Sequence, residues 1–141
     1  MSRLTVTLGE FLNRNFENVT WPQLHRKALV HGHCHQKAVM GLDSEMNLLK
    51  HMGLECMFPD SGCCGMAGSF GFKAEHYEMS LAIGEQMLLP KIRDEAEESL
   101  VIADGFSCRE QIIQTTGRRV MHLAEVIRMG MNPEYTETCL K

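Results

Sequence analysis

The chain has 141 residues, 44% hydrophobic and 23% charged, the makeup of one globular domain whose core needs no disulfide staples. Its net charge of −4 leaves no electrostatic footprint for nucleic acid. No apolar run approaches the roughly 20 residues needed to cross a bilayer, and Met1–Leu4 shows no secretory signal, so a cytoplasmic domain without direct membrane insertion is expected.

In chain order, Leu4 to Arg14 predicts a short helix with Leu8, Phe11 and Leu12 on one face, and Asn15 to Gln23 a polar loop. Lys27 to His31 is a compact apolar run that fits a buried strand. Residues 36–52 have helical spacing, broken near Gly41, with Asp43 or Ser44 as N-cap and Gly53 as terminator. Leu54 to Phe58 predicts a second strand, stopped by Pro59-Asp60. A glycine-rich loop around Cys63-Cys64 follows, then a long helix from Phe72 to Leu89, with Pro90 opening a charged turn through Glu98. Leu100 to Asp104 is the clearest strand, followed by Gly105-Phe106-Ser107-Cys108 and a helix from Arg109 to Thr116. A short strand at Arg119–Met121 leads into a helix from His122 to Met129. Strands alternating with helices predict a three-layer α/β domain with a parallel sheet of about four strands, spanning residues 1–141 as a single domain.

In such a sheet every strand ends on one edge, where ligands bind. Cys34 follows the first strand, Cys63 and Cys64 the second, and Cys108 the third, so four thiols are expected to converge there. Adjacent cysteines seldom bridge to each other, and paired thiols in a glycine loop suit a metal or cluster that keeps them deprotonated. Zinc and an iron–sulfur cluster both fit four sulfurs, but the short spacing of a zinc ribbon is absent. Strand-like alternation puts His31, His33 and His35 on one face, as candidate additional ligands or as hydrogen-bonded supports. His122 lies at the same edge, either as a capping histidine or as a polar group facing a pocket. Cys56, inside a strand, reads as core, and Cys139, in the polar tail, as incidental.

These stretches resemble the cysteine-rich CCG domain family of heterodisulfide reductase B subunits, the iron–sulfur subunits of anaerobic glycerol-3-phosphate dehydrogenase and glycolate oxidase, and lactate-utilisation proteins. The family pattern is one Cys, then Cys-Cys-Gly, then Cys-x-x-Cys. His31-Gly32-His33-Cys34-His35-Gln36 is similar to the first element and Cys63-Cys64-Gly65-Met66-Ala67-Gly68 to the second. Asp104-Gly105-Phe106-Ser107-Cys108 is similar to the third, except that Gly105 stands where the first cysteine is expected, a vacated ligand position. The likeness is strongest to the C-terminal domain of FAD-linked D-lactate or D-2-hydroxyglutarate dehydrogenases. It implies a [4Fe–4S] cluster on Cys34, Cys63, Cys64 and Cys108, with zinc as the alternative cofactor. It also implies a fragment or subunit of a larger oxidoreductase, not catalytic alone. Its partners would be an FAD-binding domain or subunit and a second iron–sulfur domain, with membrane association only through a partner. The role implied is electron transfer or shaping of the acceptor site; the alternatives are a structural zinc module and a metal-free scaffold.

Overall fold

The computed structural model describes residues 5–16 and 19–132. Four parallel strands, β1 (Lys27–Val30), β2 (Glu55–Met57), β3 (Leu100–Ile102) and β4 (Val120–Met121), form one sheet in the order β2-β1-β3-β4. The central pair is in register with Leu29 beside Val101, and β4 joins it with Val120 beside Val101. Apolar side chains leave both faces, as a sheet covered on both sides requires. Ala28, Val30, Leu100, Ile102 and Met121 point into one core, with Leu48, Leu49 and Met52 of α2 (Asp43–His51) and Leu123, Val126 and Met129 of α6 (Leu123–Met131). Leu29, Val101 and Val120 point into the other, with Leu88, Leu89 and Ile92 of α4 (Leu88–Asp94) and Ile112 of α5 (Phe106–Thr116). Among the described residues this is the expected three-layer α/β arrangement.

The helices depart from the sequence reading in instructive ways. α1 (Leu8–Arg14) starts late because Thr7 closes a capping box with Glu10: the Glu10 N–H donates to Thr7 Oγ1 at 3.1 Å and the Thr7 N–H to Glu10 Oε2 at 2.7 Å. It presents Gly9 rather than Leu8 and Phe11 inward, and those two side chains are exposed. Within the irregular stretch 15–26, Trp21 is buried and donates its indole N–H to the Phe16 carbonyl at 3.2 Å. The expected break at Gly41 is present, with φ +75. Before it the chain makes a π-helical turn, Gln36–Met40. Leu42 is the N-cap of α2, without a side-chain cap bond, and Asp43 falls inside its first turn.

The long helix expected over Phe72–Leu89 is instead two 3₁₀ turns (Phe70–Phe72 and Ala74–His76), then α3 (Tyr77–Glu85), then a break at Met87 before α4. Pro90 lies inside α4, contrary to the expectation that it opens a separate turn. It stands in the first turn, where a missing N–H leaves no hydrogen bond unmade. α5 also begins earlier than expected. Gly105 is its N-cap, so Cys108 belongs to the helix rather than to the loop before it.

Candidate functional site

The sheet order sets β2, β1 and β3 side by side, so the segments that follow them meet at the carboxyl edge. After β1, His31 still runs with the sheet, its N–H donating to the Ile102 carbonyl at 2.8 Å. The chain then turns helical at Cys34. That turn defeats the alternation expected of an extended segment, and the three histidines part company. His31 is buried, with Nδ1 at 2.6 Å from Ser61 Oγ. His33 is half-buried and lies against Gly105, while His35 is exposed.

The Cys63-Cys64 loop is shaped by its backbone. Gly65 has φ +88, and a Cβ there would overlap the Ser80 carbonyl oxygen of α3, so only glycine fits. The Gly65 N–H donates to Cys63 Sγ at 3.3 Å. Gln111 of α5 donates to the Ser80 carbonyl and hydroxyl at 3.2 and 3.3 Å, bracing the helix under the loop. Lys37 Nζ donates to the Gly62 carbonyl at 3.3 Å, which ties the Cys34 segment to the same loop.

The thiols form a connected line. Cys34 and Cys63 are hydrogen-bond partners, as are Cys63 and Cys64, and Cys64 and Cys108. Cys34 and Cys63 are half-buried; Cys64 and Cys108 are buried in the core that also holds Leu29 and Val101. The hydrogen bond from Cys108 pulls Cys64 down to about 6, helped by the Met66 N–H and opposed by burial. Cys108 is pushed up by the same bond, by burial and by the neighbouring sulfurs. Burial raises Cys34, and its bond with Cys63 adds to that. Among the described residues no three Cys, His, Asp or Glu side chains converge as the ligands of a single metal ion would.

Gly105 adjoins this line. A Cβ there would stand 3.2 Å from Cys108 Sγ and 2.9 Å from Cδ2 of His33, so the His33 ring fills the space a side chain at 105 would take. Its φ of −67 suits any residue. His33 Nδ1 accepts the His35 N–H at 3.3 Å, which places the ring proton on Nε2 and makes His33 a hydrogen-bond donor in this arrangement. Burial, with Lys37 and His33 nearby, lowers His31 to about 4, so its imidazole is neutral; its Nε2 is buried without a partner.

His122 acts at the edge as a cap. Its Nδ1 accepts the Ala124 N–H at 3.1 Å and its Nε2 lies 3.6 Å from Asp104 Oδ2. Cys56 packs toward the core on the opposite sheet face from Cys64 and Cys108, and Cys139 lies outside the described residues. Sequence reading missed Ser61 and Glu45. Ser61 stands beside the cysteine pair in a stretch already singled out, whereas Glu45 looked like any polar residue of an amphipathic helix.

No family model matches the chain, and no solved structure matches it. Curated proteins do. The chain is 36% identical over 97 residues to one subunit of the anaerobic glycerol-3-phosphate dehydrogenase of Escherichia coli, covering 68% of this chain and 24% of that protein. It is 32% identical over 97 residues to a D-2-hydroxyglutarate dehydrogenase of Pseudomonas putida, 67% of this chain and 9% of that one. Lactate utilization protein A of Bacillus velezensis matches at 35% over 115 residues, 74% of this chain and 46% of that one. The chain is a homologue of one segment of each. These are groups that the family resemblance named from the cysteine motifs, and that resemblance is borne out. The chain spans less than half the length of these relatives.

Proposed function

We propose that this chain is the cysteine-rich iron–sulfur domain of a larger flavin-linked dehydrogenase of 2-hydroxy acids, and that Cys34, Cys63, Cys64 and Cys108 hold its [4Fe–4S] cluster. The observation that carries the reading is the line of four thiols, each hydrogen-bonded to the next, drawn from the ends of three adjacent strands. Each cysteine of such a cluster binds a different iron, so its ligands need not converge on one point as four zinc ligands must. The chain's own residues supply a thiol that ionises near neutral pH at Cys64, an N–H donor to the Cys63 sulfur, and a neutral buried imidazole at His31 held by Ser61. When bound, the cluster supplies one-electron transfer, on a route from an FAD-bearing domain or subunit through a second iron–sulfur domain. The setting is cytoplasmic, with any membrane association made through a partner. Among the described residues no helix is long and apolar enough to cross a membrane.

Anaerobic reconstitution with iron and sulfide tests this. The expected product is brown, with about four irons per chain, and Cys64→Ser or Cys108→Ser loses most of that iron. Gly105→Cys, whose Cβ would press on His33 Cδ2 at 2.9 Å and on His33 Cβ and Cys108 Sγ at 3.2 Å so that the His33 side chain must turn aside, is expected to raise cluster occupancy. A colourless protein holding one zinc per chain would establish the structural alternative instead, and a folded protein that binds neither metal would leave only a scaffold.

A further inference from the structure

A second group of ionisable side chains gathers at the same edge, on the other face of the sheet. Glu45, in the first turn of α2, is 6% exposed. Gln36 Nε2 donates to its Oε2 at 2.5 Å, and Gly9 of α1 closes over it, with 3.1 Å from the position of a Gly9 Cβ to Glu45 Cγ. Its other partner is Asp104, at the end of β3. Asp104 Oδ1 accepts the Leu123 N–H at 2.8 Å, and Oδ2 faces His122 Nε2 at 3.6 Å. Two carboxyl groups in hydrogen-bond contact need a proton between them, because neither carboxylate can donate.

We propose that Glu45 and Asp104 share one proton at neutral pH, and that this proton latches the segment carrying Cys34 to the turn carrying Cys108. Gln36 is two residues beyond Cys34, and Asp104 opens the turn into α5. Through Gln36 and Asp104 the pair bridges the two segments, and both carboxyls are positioning residues. Asp104 and His122, 21% and 33% exposed at their side chains, connect the buried proton to solvent. The latch stands whether or not the thiols bind metal.

The surroundings favour a retained proton. Burial, the hydrogen bond to Asp104 and that carboxylate's charge together push Glu45 up to about 8, against the opposing bond from Gln36. Among the described residues no salt bridge reaches the Glu45 carboxyl. Glu10 of α1 is turned to the Thr7 N–H, Glu125 of α6 accepts the His122 N–H at 2.8 Å, and the Arg109 guanidinium of α5 binds the carbonyls of Ala103 and Asp104 at 3.1 and 2.8 Å. His122 faces Asp104, with Nε2 at 3.6 Å from Oδ2.

A carboxyl raised from 4.5 to about 8 in the folded state contributes stability that is whole below 4.5 and lost as pH rises through 8. In that window one proton makes the unfolding constant grow by about tenfold per pH unit. The test is infrared difference titration of the 141-residue chain, with urea unfolding across the same pH range. Wild type is expected to show one protonated carboxyl that disappears with a midpoint about 8. Glu45→Gln should lack that signal and its pH slope, and amide exchange at Gln36–Met40 and Gly105–Cys108 should quicken above that midpoint in wild type only. Asp104→Asn provides a second route if Glu45→Gln does not fold; with the like charge gone, the midpoint should fall by at least about one pH unit. Absence of a protonated carboxyl in wild type at neutral pH, or the same titration in wild type and Asp104→Asn, would overturn the proposal.

Discussion

Two proton-sharing pairs flank the carboxyl edge of this sheet, Cys64 with Cys108 on one face and Glu45 with Asp104 on the other. Both couple two acids from different elements across a buried contact, and the coupling drives the named members in opposite directions. Cys64 falls to about 6 because a thiol donates to it, and Glu45 rises to about 8 because it is buried and a carboxylate stands beside it. Near neutral pH the thiol pair has thus released a proton and the carboxyl pair has kept one. The first is ready to act as a soft anionic ligand, the second to hold two chain segments together. The pairs also differ in what builds them. The thiols depend on a backbone turn that only glycine can make, whereas the carboxyls depend on side chains alone.

The largest effect should come from breaking that turn. Gly65→Ala combines a positive φ with overlap against a backbone carbonyl, and neither can relax cheaply. We expect a loss of about 3 kcal/mol or more in urea unfolding, together with loss of the low thiol titration. Gly68, with φ +54 and nothing within 4 Å of its Cβ position, is the control. There alanine should cost only about 1–2 kcal/mol. Equal costs at the two positions would show that the loop yields and that the close approach to Ser80 is unimportant.

An intermediate effect should follow from removing one thiol. In metal-free protein, Cys108→Ala takes away the donor to Cys64, and the thiolate absorbance that grows in near pH 6 should move up by about two pH units. The sign for stability is opposite to that of Glu45. A thiol lowered from 9 to about 6 contributes stability present above 9 and lost as pH falls through 6, so wild type gains about tenfold in folding constant per pH unit across that window. His31, lowered from 6.5 to about 4, adds a rise of the same sign between those values, so each variant must be compared with wild type at matched pH. An unchanged thiolate midpoint in Cys108→Ala would mean that the pairing is not what lowers Cys64.

How much of this was legible in the sequence follows from the range of the interactions involved. The strands announced themselves as apolar runs, and parallel topology then carried Cys34, Cys63, Cys64 and Cys108 to one edge without knowledge of any helix. Helix boundaries were less legible because caps decide them locally. Thr7 with Glu10 delays α1, and Gly105 starts α5 early enough to enclose Cys108. Alternation failed for His33 and His35 since it holds only while the chain stays extended, and the chain turns at Cys34. The Glu45–Asp104 pair was invisible for a different reason. Its members come from elements on either side of a crossover, and no spacing rule links a residue in α2 to the end of β3.

The smallest effect is expected where a cysteine belongs to neither pair. Cys56 sits in β2 opposite Ala28, half-buried, and packs toward the core that contains Val30 and Leu49, on the far face from Cys64 and Cys108. Burial raises its thiol, opposed by Lys50, so it is protonated at neutral pH and poorly suited to bind metal. Cys56→Ser keeps the volume nearly constant but replaces a weakly polar thiol with a hydroxyl that has no partner in that core. A cost of about 1 kcal/mol is expected, with the Cys64 and Glu45 titrations unmoved and iron uptake on reconstitution unchanged. Because β2 is an edge strand, its local adjustment need not reach β3 and the turn that carries Cys108. Loss of iron in a folded Cys56→Ser protein would show that the site draws on both faces of the sheet, and the separation of the two regions would then be wrong.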